Sequence, residues 1–204
     1  ASLAVNAKWE HADEAVFVLA VSLQVANQFD AAIVEFNKVS ATANSSYRDQ
    51  ALYQAGEIYR SQMKDPQAIA SYAKLIAELP KSNLVPAAMY GIGIVHYENG
   101  DLKNTVTEIG KLLSAHADSD FANDAKFLRG MCHMGLKQYQ PATTDLSQFV
   151  ASVPDSEKRH DARFAIARCQ AGLLQHDAAV ATMNALLKEK PDYERADDVL
   201  YEMA

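Results

Sequence analysis

The chain has 204 residues, of which 49% are apolar and 22% charged, and its formal net charge is −7. This composition belongs to a globular chain and excludes intrinsic disorder. The acidic balance argues against a nucleic-acid partner, no apolar run approaches the ~20 residues of a membrane span, and two cysteines cannot staple a chain of this size.

Residues 1–12 read as a linker or the end of a preceding segment. The opening ASLAVNAKWEHADE has no basic flank ahead of a long apolar core and so is not itself a signal peptide, which is expected either to have been removed or to lie upstream of this start. From residue 13 a repeat begins. Its units are expected at about 13–48, 49–85, 86–122, 123–159 and 160–196, with a partial sixth at 197–204. Aromatic residues mark the register: Phe17, Tyr53, Tyr90, Phe127, Phe164 and Tyr201 lie 36 or 37 residues apart. Two positions before them stand Ala15, Ala51, Ala88, Ala125, Ala162 and Val199. Three positions after the first five stand Ala20, Gly56, Gly93, Gly130 and Ala167.

Each unit reads as two helices. In the second, Leu52, Ala55, Gly56 and Tyr59 share a face at i, i+3, i+4, i+7. Met63-Lys64-Asp65-Pro66 makes a turn, with Asp65 expected as N-cap and Pro66 at the first helical position. Ala68, Tyr72 and Leu75 form the next face, and Pro80 closes the unit. The other prolines agree. Pro141 falls in a first turn, Pro86 starts a first helix, and Pro154 and Pro191 follow second helices. Gly100-Asp101 reads as a helix stop followed by a cap. On second helices the small residues Ala32, Ala68, Thr105, Ala142 and Ala179 let two backbones approach. Phe36, Tyr72, Ile109, Leu146 and Met183, then Val39, Leu75, Leu112, Phe149 and Leu186, fill the space beside them. DDVLYEMA reads as a helix cut short, which predicts a fragment of a longer protein exposing Val199, Leu200 and Met203.

These registers resemble the tetratricopeptide repeat family over residues 13–204. The resemblance implies an all-α fold, a right-handed α-solenoid of about five helical hairpins plus the first helix of a sixth, in a single domain. The units depart from the family at the fourth position, where Val16, Leu52, Met89, Lys126 and Arg163 stand and the aromatic moves one place on. They are also longer than the usual ~34 residues. The links PKSNLVPAA, HADSDFAND and VPDSEKRHD account for the extra length. In style these links resemble those of bacterial envelope repeat proteins, such as the lipoprotein of the barrel-assembly machine and the repeat protein of the Tol–Pal system. That resemblance implies a periplasmic or outer-membrane-associated location.

Family members bind peptides or protein segments along the first helices. Carried over by position, the groove residues are the aromatic and those four and seven later. These are Phe17, Val21 and Gln24; Tyr53, Glu57 and Arg60; Tyr90, Ile94 and Tyr97; Phe127, Met131 and Met134; and Phe164, Arg168 and Ala171. The spacing puts each trio on one helical face. Two trios are wholly apolar, with Glu57, Arg60 and Arg168 flanking them, as suits a binder of apolar segments. For the aromatic rings, packing between repeats is the leading alternative. For Ile94, Tyr97, Met131 and Met134, groove and core weigh equally. The basic clamp that holds a C-terminal carboxylate in co-chaperone members has no counterpart here.

Little suggests chemistry. Cys132 and Cys169 share one repeat position and read as small buried hydrophobes, too far apart for a disulfide. His11, His96, His116, His133, His160 and His176 show no metal-ligand spacing and read as hydrogen-bonded side chains. Gly91-Ile92-Gly93 lies within a helix and is not a dinucleotide fingerprint. Asp13-Glu14 and Asp197-Asp198 favour helix N-termini. No catalytic residue, metal or cofactor is expected. The expected function is a non-enzymatic scaffold for a protein or peptide partner, without nucleic acid or membrane insertion. The alternative is a structural module that self-associates through open repeat ends.

Overall fold

The computed structural model describes residues 12–154 and 156–203. His11, Asp155 and nearly all of the expected linker lie outside them, as does the side chain of Met203. Regular structure among the described residues consists of eleven α-helices. In chain order these are α1 (Ala12–Val25), α2 (Phe29–Ala41), α3 (Arg48–Ser61), α4 (Asp65–Glu78), α5 (Val85–Glu98), α6 (Leu102–Ala115), α7 (Ala122–Gly135), α8 (Tyr139–Ser152), α9 (Lys158–Gly172), α10 (His176–Glu189) and α11 (Ala196–Met203). The helices therefore alternate as the repeat requires, with short turns inside each unit and longer links between units. The fold is the expected all-α solenoid type. It divides into two compact units, one up to Val95 and one from His96.

One backbone device makes every short turn. Asn27, Met63, Gly100, Lys137 and Leu174 adopt φ of 58°, 56°, 72°, 59° and 60°. Each lies ten residues after its repeat's aromatic. The residue after each donates its N–H five places back: Lys64 to the Tyr59 carbonyl at 2.9 Å and Gln138 to His133 at 2.8 Å are examples. Paired with Met63 N–H to Arg60 O at 2.9 Å, this is a Schellman stop, which satisfies carbonyls that the helix end leaves orphaned. Only Gly100 takes this conformation without a side-chain penalty. At the next helix Asp101 caps as expected, its carboxylate accepting from Asn104 N–H at 3.1 Å. Asp65 does not. It lies inside the first turn of α4, Lys64 occupies the cap, and no side chain caps that helix.

In unit 1, Ala32, Phe36, Val39, Ala51 and Ile58 share one core cluster, and Ala68, Tyr72, Leu75, Ala88 and Val95 share the next. The Tyr72 ring is the tightest fit. A Cβ built on Gly56 or Gly91 would stand 2.5 Å or 2.8 Å from it, so α3 and α5 both carry glycine where they meet the ring. In unit 2, Leu146 and Phe149 pack with Ala162 and Ala165, and Phe164 packs with Met183, Leu186 and Tyr193. Gly130 again leaves room, since a Cβ there would stand 2.7 Å from Leu146. Val199 corrects the expectation for the last helix. It is buried within the Phe164 cluster, while Leu200 is 55% exposed.

Candidate binding surface on the first helices

In unit 1 the selected residues sit on α1, α3 and α5. Tyr53, Tyr90 and Ile94 are half-buried. Tyr53 packs toward Tyr72 with ring centroids 6.0 Å apart. Glu57 and Arg60, one turn apart, form an ion pair at 2.9 Å. The Tyr72 hydroxyl, arriving from α4, donates to the other oxygen of Glu57. Burial and then the Glu57 carboxylate push the Tyr72 phenol well above its ordinary range, so it remains a donor at every physiological pH. Glu57 is therefore a carboxylate held from both sides. Burial and the same carboxylate also raise Tyr53.

The remaining residues belong to unit 2. Tyr97, at the end of α5, is 45% exposed. Phe127, Met131 and Met134 are half-buried along one face of α7. Together with Phe164 and Arg168 of α9 they line a cleft of about 320 Å³. Five side chains chosen by spacing thus meet in one concavity. Phe164 is only 2% exposed, so it forms the floor and offers a partner little area. Arg168 is exposed at the rim, 6.0 Å from the Phe164 ring centroid.

The aromatic register has two faces. Phe17 meets Phe36 edge-on at 5.7 Å, Phe127 lies 5.0 Å from Phe149, and Phe164 lies 6.5 Å from Tyr193. Each ring packs inward, and all but Phe164 among these retain a half-exposed side. Gln24, in the first trio, donates to Gln54 at 3.1 Å.

Spacing alone did not find several residues at or near this surface. Asp161, Ala165, Glu194 and Arg195 complete the cleft, the last two from the link between α10 and α11. Asp161 accepts from the Tyr193 hydroxyl at 2.5 Å. Away from the cleft, Arg129 of α7 makes two hydrogen bonds of 2.7 Å to Asp145 of α8, which is almost fully buried. Arg163, at a position the family usually buries, is held by Glu189 together with Arg159.

Cys132 and Cys169 are buried free thiols. Burial pushes Cys132 up to about 11 against a lowering hydrogen bond with Thr105, and it raises Cys169 too, so neither presents a thiolate near neutrality. His133 Nδ1 lies 2.6 Å from Gln138 Oε1. Among the described residues no group of three His, Cys, Asp or Glu is arranged to hold a metal ion, and no helix is long and apolar enough to cross a membrane.

The tetratricopeptide repeat family matches residues 50–82, 124–156 and 161–193. Among solved structures, the chain is similar to a tetratricopeptide repeat protein from Parabacteroides merdae, with 18% identity, a TM-score of 0.74, and coverage of 94% of this chain and 73% of that one. MamA is 16% identical with a TM-score of 0.72, covering 92% and 96%. YrrB, described as a tetratricopeptide repeat protein with an unusual peptide-binding site, is 15% identical with a TM-score of 0.69, covering 91% and 90%. At these identities the likeness is one of fold. No curated protein matches the sequence.

Proposed function

We propose that the chain, three segments of which match the tetratricopeptide repeat, is a non-enzymatic scaffold that holds a protein or peptide segment against its first helices. The fold generally serves protein–protein interaction. One observation supports the reading most: Phe127, Met131, Met134, Phe164 and Arg168, all selected by repeat position, line a single cleft. Half-buried methionines and a phenylalanine give adaptable apolar contact. Covering the exposed half of each is worth about 1 kcal/mol per side chain. The scaffold acts passively, by presenting these side chains on rigid helices rather than by changing a bond.

The test is Tyr97→Ala combined with Met131→Ala. Crosslinking pull-down from the native cell is expected to lose partner capture by about tenfold, with an unchanged helical circular-dichroism spectrum. Full capture by the folded double variant would reject the surface. The link style supports placing that partner in a bacterial envelope assembly. Recovery of the protein from the cytosolic fraction alone would refute that placement.

A further inference from the structure

Charge at the unit 2 cleft is unevenly matched. Arg168 Nε lies 3.3 Å from Glu202 and Arg195 Nε 2.9 Å from Asp198. Lys158, which lies 5.8 Å over the Phe127 ring, is 2.7 Å from Asp124. Every cation at the cleft thus already has a carboxylate. Of the two acidic lining residues, Asp161 accepts from the Tyr193 hydroxyl. Glu194 is exposed, and among the described residues no cation pairs with it.

We infer that the cleft takes a segment carrying one bulky apolar side chain flanked by lysine or arginine. The inference rests on the proposed scaffold role and specifies its partner. The apolar side chain enters between Phe127, Met131 and Met134. The flanking cation meets Glu194 and leaves the three existing ion pairs intact. An acidic segment must instead compete with Asp198 and Glu202 for the arginines while facing the Glu194 carboxylate. Like-charge juxtaposition of that kind is how interfaces reject wrong partners.

Three fluorescein-labelled decapeptides test this by anisotropy, each in a Gly-Ser background. One carries Leu-Phe flanked by lysines, one Leu-Phe flanked by glutamates, and one Ala-Ala flanked by lysines. The first is expected to bind tightest, about threefold better than the second and about tenfold better than the third. Glu194→Lys, a change at an exposed link residue, is expected to reverse the preference between the first two. Met131→Ala is expected to weaken both. If the two Leu-Phe peptides bind equally and only Met131→Ala weakens them, the charge rule is overturned while the scaffold surface stands. If no peptide binds, or Met131→Ala changes nothing, both readings fall at this cleft. If the chain alone dimerises with concentration and Met131→Ala abolishes the dimer, a second copy owns the cleft and the inference is overturned.

Discussion

Tyr72 in unit 1 and Leu146 in unit 2 occupy the same register of their second helices and do the same steric work, yet their polar surroundings differ. Each fills a gap left by glycine, Gly56 and Gly91 around Tyr72 and Gly130 beside Leu146. Tyr72 carries a hydroxyl through the core and spends it on Glu57, fixing a carboxylate beside Arg60. Leu146 has nothing to donate. The polar tie of that hairpin comes from its neighbour Asp145, which binds Arg129 away from the cleft. The α3 face beside Tyr72 therefore carries a pinned charged pair, while the α7 face beside Leu146 presents Phe127, Met131 and Met134. The comparison teaches that one filling position can either hold a neighbouring carboxylate through its own hydroxyl or leave the polar tie to an adjacent residue.

Removing the two fillers breaks the comparison most severely. Tyr72→Ala is expected to cost about 4 kcal/mol and Leu146→Ala about 3 kcal/mol, read from urea unfolding midpoints. A loss below about 1 kcal/mol for either would show that the gap collapses and that the register does not carry the packing.

Cutting the unit 2 tie comes next. Asp145→Asn is expected to cost about 2 kcal/mol, less than a fully buried pair would because the Arg129 side chain remains 25% exposed. Arg129→Met with Asp145→Leu is expected to recover most of that loss, since two well-packed apolar groups replace a desolvated pair.

The unit 1 tie is weaker and pH-dependent. Tyr72→Phe is expected to cost about 1.5 kcal/mol near neutrality. The folded phenol lies above its ordinary value of 10.0, so the folded state keeps a proton that the unfolded chain gives up. This contribution is whole below pH 10.0 and declines as pH rises past it. Wild-type stability should therefore fall above pH 10.0 more steeply than that of Tyr72→Phe, and parallel curves would contradict the Tyr72–Glu57 bond.

The smallest change concerns the turns. Met63→Gly and Leu174→Gly are each expected to stabilise by about 0.5 kcal/mol, because relief of the left-handed conformation exceeds the entropy that glycine adds to the unfolded chain. Gly100, already suited to φ 72°, offers no such gain.

The steric registers were legible because residue size states the need directly. Ala32, Ala68, Thr105, Ala142 and Ala179 are all buried where backbones approach. The turn at Met63 was legible from Asp65-Pro66, but the left-handed residue was not, since Asn27, Met63, Lys137 and Leu174 take a conformation that the sequence marks with glycine only at Gly100. Phe127, Met131 and Met134 were legible at the cleft because helical spacing aligns them. Glu194 and Arg195 were not, because they lie in a link without periodicity. The Arg129–Asp145 pair did leave a signal. Arg129 stands two places after its aromatic, where the other units carry Leu19, Ala55, Ile92 and Ile166, and a lone charge in an apolar register asks for a partner.

The scaffold role is tested most directly by photocrosslinking in the native cell, with benzoylphenylalanine placed singly at Met134 on the first-helix face and at Val180 on a second helix. The same partner adduct should form from Met134 and be missing from Val180. An adduct from Val180 alone, or equal yields from both positions, would contradict recognition by the first helices.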